Sequence, residues 1–128
     1  MYCLDTNIII DIFRGNEEIK NKLESLRYNE LFITPITLFE LYKGAYLSSK
    51  TKEGIKLINE FVDTIKMLDI NAFACEEFGK EYVKLKNVGK IPDEIDLMIA
   101  AIVKANDLIL ITKNKKDFEN INVKIEVW

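Results

Sequence analysis

Short apolar runs alternate along the chain with stretches in which apolar residues recur every three to four positions. The first kind reads as strand: Tyr2-Cys3-Leu4, Leu31-Phe32-Ile33, a short candidate at residues 67–70, Leu108-Ile109-Leu110-Ile111, and a last run over residues 124–127. The run at residues 108–111 is almost purely apolar, as a parallel strand covered on both faces requires. Thr6-Asn7-Ile8-Ile9-Ile10 is rich in β-branched residues and could prolong the first strand. Asp5 and Thr6 are equally good helix caps, however, and Gly15 supplies a stop, so the pattern favours a strand followed by a helix from about Asn7. Residues 17–26 place Ile19, Leu23 and Leu26 on one helical face.

Further on, Thr34-Pro35 is a capping residue followed by proline at the first helical position. It opens a helix with the stripe Leu38, Leu41, Tyr42 and Ala45. Another helix begins at Thr51, with Ile55, Ile58, Val62 and Ile65 in register. Asn71 caps a third, whose inner face is Ala74, Phe78, Tyr82 and Leu85, and Asp93 starts a fourth with Ile95, Met98, Ile99, Ile102 and Val103 facing inward. Strand and helix succeed one another without repeat or linker. The expected fold is a three-layer α/β/α sandwich with a central, mostly parallel sheet, one domain over residues 1–128.

Composition narrows the chemistry. Apolar residues make up 48 % of the 128 and charged residues 30 %, the balance of a globular domain. A net charge of −3 disfavours a general nucleic-acid coat, which works by neutralising phosphates. No apolar run approaches the roughly 18 residues of a membrane span, and the N-terminus lacks a signal-peptide pattern, so a cytoplasmic location is expected. Cys3 and Cys75 have no metal-binding spacing. The chain contains no histidine. That removes imidazole acid–base catalysis, the Ser-His-Asp and Cys-His systems, and most zinc hydrolase sites. Any hydrolytic chemistry falls to carboxylates and a hard cation.

The carboxylates are placed suggestively. Ligands of open α/β sheets bind beyond the carboxyl ends of the strands. Asp5 ends the first strand, Asp117 follows the strand at residues 108–111, and Asp96 lies in the first turn of the helix leading into that strand. Glu40 stands about two helical turns after the second strand and can lean back to the same edge. Four acids so close would repel each other and resist desolvation without a cation. Mg²⁺ or Mn²⁺, which prefer oxygen ligands, would resolve the conflict. Each acid also has an ordinary reading: Asp5 as a helix cap, Glu40 as a solvated position, Asp93 and Asp96 as a capping pair, Asp117 as a turn cap. Asp11, Asp63, Asp69 and Asp107 are available too, so acids alone mark nothing.

The wording around these residues adds a resemblance. Leu4-Asp5-Thr6-Asn7, Glu40-Leu41-x-x-Gly44-Ala45, Asp96-Leu97-Met98-Ile99-Ala100-Ala101 and Thr112-x-Asn114-x-x-Asp117-Phe118 occur in this order. Together they resemble the PIN-domain family, specifically the VapC-type toxins of prokaryotic toxin–antitoxin modules, from Asp5 to Phe118. The resemblance implies a metal-dependent endoribonuclease with Asp5, Glu40 and Asp96 as its acidic core. Asp117 falls at a fourth acidic position, supported by Thr112 and Asn114. Glu94 falls where the family often carries a second acid, and Asp93 replaces its usual glycine. On this reading Asp5, Asp96 and Glu40 hold Mg²⁺ or Mn²⁺, Glu40 positions or deprotonates the attacking water, and Asp117 assists. Thr6 and Asn7 would orient Asp5.

Lys113, Lys115 and Lys116, with Lys84, Lys86 and Lys90, are candidates for gripping the RNA backbone. The resemblance also implies a cognate antitoxin that sends a cationic side chain into the acidic pocket, and a homodimer; the apolar stretches 39–46 and 61–68 could supply its contacts or could equally be core. Other readings fit less well. A receiver-like phosphoacceptor domain would need a strand where residues 51–65 read as helix. A non-catalytic PIN-fold binding module would not need an intact acidic set. A PIN-fold RNA-processing nuclease differs from a toxin mainly in carrying extra domains.

Overall fold

In the computed structural model, which describes residues 1–26 and 29–128, β1 (Tyr2–Leu4) is the middle strand of a parallel sheet. The chain continues through α1 (Thr6–Phe13), α2 (Glu17–Ser25), β2 (Leu31–Ile33), α3 (Pro35–Leu47), α4 (Thr51–Val62) and β3 (Lys66–Met67). It then forms α5 (Ala72–Asn87), α6 (Glu94–Ala105), β4 (Ile109–Thr112), α7 (Lys115–Phe118) and β5 (Ile125–Val127). Among the described residues the strand order is β3-β2-β1-β4-β5, and all four pairings are parallel rather than mostly so. The chain works outward from β1 to β3, then returns to put β4 on the other side of β1. The reversal between β1 and β4 opens a crevice at their carboxyl ends.

Strand residues alternate between the two faces. Cys3, Phe32 and Leu110 join one core with α5 and α6, through Ala74, Leu85, Leu97, Ile99, Ile102 and Val103. Leu4, Ile33 and Ile111 join the other, with Ile8 and Ile9 of α1, Ile19 of α2, Leu41 and Ala45 of α3, and Ile58 of α4. The helices begin where their capping chemistry lies. Asp5, Asn16, Thr34, Asn71 and Asp93 cap α1, α2, α3, α5 and α6 through their own side chains. Gly15, at φ 78°, takes the left-handed conformation that ends α1.

Several expectations need correction. The third strand ends at Met67 instead of running over residues 67–70. Leu68 donates one last bond to the Ile33 carbonyl at 2.9 Å, after which the neighbouring chain turns into α3 and offers nothing more to pair with. The fourth strand begins one residue late, because the Leu108 amide is taken by the Val103 carbonyl of α6 at 3.1 Å. Leu108 is still buried. Ile65 lies beyond α4, which stops at Val62. On α6, Ile95 does not face the core: it is 39 % exposed, and Leu97 takes the fully buried position. Ile95 and Met98 line a cleft instead. Finally, α7 is a helix where only a turn was expected; it is four residues long, has no side-chain cap, and is anchored by Phe118 at 1 % exposure.

Candidate functional site

Asp5 follows the last residue of β1, and its carboxylate does two things at once. Oδ1 accepts the Thr6 amide at 2.9 Å, which starts α1, while Oδ2 accepts the Thr112 hydroxyl at 2.8 Å from the end of β4. The residue is 4 % exposed. The Thr6 hydroxyl donates to Glu40 Oε1 at 2.6 Å. Glu40 is carried there by α3, whose start is fixed by Thr34 capping the Thr37 amide and by proline at the first helical position. The Thr112 hydroxyl oxygen also accepts the Asn114 amide at 3.1 Å. A continuous hydrogen-bonded line thus runs from Glu40 through Thr6, Asp5 and Thr112 to Asn114.

This line forms the floor of a cleft of about 570 Å³, lined by Asp5, Glu40, Asp96, Asn114 and Asp117 together with Thr6 and Asn7. Asp96 enters from the first turn of α6, where its amide is held by Asp93 Oδ1 at 3.0 Å. Asp117 enters from α7 and is exposed. The acids feel one another. Burial raises the Asp5 carboxyl above its ordinary range; the Thr112 and Thr6 hydrogen bonds oppose that, and Glu40 and Asp117 add to it. Asp96 is pushed up to about 7, first by desolvation and then by Asp93, Asp117, Asp5 and Glu40. Among the described residues no cation pairs with these two aspartates as Lys104 does with Glu77 at 2.8 Å.

The donor set fits a hard divalent cation in kind: it is made of carboxylate oxygens, and the neighbouring acids help to raise the proton affinity of Asp5 and Asp96. Among the described residues, though, no three acidic or thiol side chains stand close enough to hold a metal ion by direct contact. Both Asp5 oxygens already accept hydrogen bonds, and the other acids reach in from three separate helices. An ion here would keep several of its waters, the habit of Mg²⁺.

The structure gathers some expected residues and separates others. Asp5, Glu40, Asp96, Asp117, Thr6, Asn7 and Asn114 share the cleft, and Thr112 lies directly beneath it. Glu94, the first residue of α6, is exposed and does not line the cleft, whereas Asp117 does. Lys113 is engaged elsewhere, its ammonium 2.6 Å from Asp11 Oδ2. Lys116 and Lys90 line a neighbouring groove of about 340 Å³ that shares Asp96 and Asp117 with the cleft. Lys115, Lys84 and Lys86 are exposed and line neither. Sequence reasoning missed Lys43, which lines the cleft one helical turn beyond Glu40. The i, i+3 spacing from an identified acid was the available signal. It also missed the apolar rim, where Phe39 and Leu47 are 70 % and 77 % exposed.

Comparison with known proteins bears on the family and the fold. The PIN domain family model matches residues 2–124. The chain is 33 % identical to the Haemophilus influenzae protein named Ribonuclease VapC2, over 99 % of this chain and 97 % of that one. It is 30 % identical to the tRNA(fMet)-specific endonuclease VapC of Shigella flexneri, with the same coverage. Among solved structures, VapBC2 from Rickettsia felis bound to a DNA fragment from their promoter superposes with a TM-score of 0.92 at 30 % identity, covering 99 % of this chain and 98 % of the matched one.

Proposed function

This chain belongs to the PIN domain family, and from that premise we propose that it is an endoribonuclease of the VapC type, acting as the toxin of a toxin–antitoxin module. The observation that carries the reading is the gathering of Asp5, Glu40, Asp96 and Asp117 in one cleft, where desolvation, and then Asp93, Asp117, Asp5 and Glu40, push the Asp96 carboxyl up to about 7. The names of the VapC relatives support the choice of RNA as substrate.

Asp5, Glu40 and Asp96 would hold Mg²⁺ or Mn²⁺. Such an ion, when bound, lowers the pKa of coordinated water and offsets charge building on a phosphate. The chain's own part is to orient and to exclude. Thr112 and Thr6 fix the Asp5 carboxylate in one rotamer. The Thr6 hydroxyl leaves Glu40 one committed oxygen and one free to accept a proton from an attacking water. Asp117 adds negative charge on the far wall, and Asn114 offers an amide to the substrate or to the water shell. Lys43 on one side, with Lys90 and Lys116 in the adjoining groove, would bind phosphates before and after the cut. Lys115 is a weaker contact from the exposed face of α7.

The antitoxin would occupy the same cleft, sending a cationic side chain to the acids while its apolar residues cover Phe39 and Leu47. VapBC complexes among the structural relatives support such a partner. Tyr46, 70 % exposed on α3, is available to a second copy of the chain, whereas Leu68 in the other expected contact region is buried. Among the described residues no helix is long and apolar enough to cross a membrane.

The test is cleavage of a defined RNA and of its deoxy counterpart by purified protein, with Mg²⁺ or Mn²⁺ and then with a chelator. The expected result is cutting of RNA alone, abolished by chelation and restored by the ion. Cutting that persists undiminished in chelator would remove the cation from the reading, and failure to cut any RNA, transfer RNA included, would remove the reading itself.

A further inference from the structure

We propose that Asp11 and Lys113 form a positioning clamp that sets the loop bearing Asn114 and Asp117 against Asp5, an inference that rests on the ribonuclease reading above. Asp11 belongs to α1, the helix that Asp5 starts, and is 8 % exposed. Lys113 comes from the other end of the chain and closes on Asp11 Oδ2 at 2.6 Å, 102 residues away in sequence. Its immediate neighbours are Thr112, which bonds Asp5, and Asn114, which lines the cleft.

The loop has few other restraints. Asn114 precedes α7 without making a side-chain cap, and α7 is a single turn. Between the end of β4 and the buried Phe118, the local ties are the Asn114 amide on the Thr112 hydroxyl and the Asp117 amide on the Asn114 carbonyl at 3.1 Å. The first also leads on to the Asp5 carboxylate through the same hydroxyl. Among the described residues the ion pair is the bond that joins the loop directly to the body of α1, so together with that hydroxyl it sets where Asn114 and Asp117 stand relative to the Asp5 carboxylate. A side chain held this way is a poor phosphate ligand. A half-buried, hydrogen-bonded pair keeps its geometry better than two free surface charges, and removing one partner strands the other.

The experiment is a double-mutant cycle with Asp11→Asn, Lys113→Met and the pair together, plus Lys113→Arg as the conservative variant. Cleavage of a short RNA is read as kcat, KM and salt dependence. Each single change should lower kcat about tenfold, as loss of an outer support of a metal site does. The double variant should fall no further than the worse single, because both remove one interaction. KM and the salt slope should stay put, and Lys113→Arg should keep most of kcat. Hydrogen exchange gives a readout apart from activity: the amides of residues 113–117 should exchange faster in both singles while those of α6 do not change. If Lys113→Met raises KM and flattens the salt slope by about one while Asp11→Asn is neutral, Lys113 is an RNA contact and the clamp is overturned. Additive losses in kcat, or unchanged exchange over residues 113–117, overturn it as well. Lys113→Met alters a side chain already 41 % exposed, so that arm survives should Asp11→Asn fail to fold. Should the wild-type protein cut no RNA, the ribonuclease reading fails by itself and the clamp is judged by exchange.

Discussion

The two ends of the sheet treat charge in opposite ways. At the amino ends of the strands, Glu30 before β2 meets Lys66 of β3 at 2.9 Å, and Asp107 before β4 meets Lys124 before β5 at 3.0 Å. Among the described residues each of these two acids has one cation, and all four side chains are more than half exposed. At the carboxyl ends Asp5 is buried, Asp96 is half-buried, and their nearest charged company is more acid. Exposed pairs contribute little, typically 0–1 kcal/mol. Buried like charges cost stability and persist where something outside the fold rewards them. The contrast separates exposed, paired charge from buried charge crowded with its own kind, which a count of acids along the chain does not.

Asp96→Asn should sharpen this contrast most. Cleavage should fall by more than about a hundredfold, since even outer supports of a metal site are worth roughly 10–100-fold. Yet the metal-free variant should melt a few degrees higher than wild type near pH 8. The sign follows from protons. With its folded carboxyl near 7 and an unfolded value near 3.8, Asp96 makes the folded chain bind more protons between those limits. Metal-free wild type is therefore more stable at pH 5 than at pH 8, losing that advantage as pH rises through about 7, and Asp5 is shifted in the same direction. The variant should show a flatter dependence. A metal-free wild type that melts higher at pH 8 than at pH 5 would break the comparison.

Thr112→Val comes next. It deletes the hydroxyl that donates to Asp5 and accepts from Asn114, leaving a buried acceptor unmatched, and should cost about 1–3 kcal/mol in denaturant melts. Cleavage should drop roughly tenfold with it. The smallest effect belongs to the opposite edge. Asp107→Asn breaks the Lys124 pair, but asparagine also tolerates the residue's φ of 53°. Stability should stay within about 0.5 kcal/mol and cleavage unchanged. Equal losses from Asp107→Asn and Asp96→Asn would erase the distinction between the two ends.

Much of the fold was legible because its signals are local. Caps at Asp5, Thr34, Asn71 and Asp93 and apolar periodicity mark where helices begin and which way they face. Asp5 and Asp117 could be placed because strand ends follow from strand order. What escaped depends on neighbours distant in the chain. The extent of β3 is set by where β2 stops, and the exposure of Ile95 by its place on the cleft. The pairing of Lys113 with Asp11 depends on two elements meeting only in the finished fold. A lysine beside a motif looks the same in sequence whether it faces solvent, substrate or a carboxylate.

Asp5 carries a consequence for ancestry. Oδ1 of Asp5 holds the amide that begins α1, and Oδ2 is tied to β4, so the residue is masonry whatever part it takes in cleavage. A descendant that had given up cutting could discard Asp96 and gain robustness. Losing Asp5 would loosen the join between the first helix and the central strands. This aspartate would outlive the trade it once served, and its survival in a relative is poor testimony that the blade is still sharp.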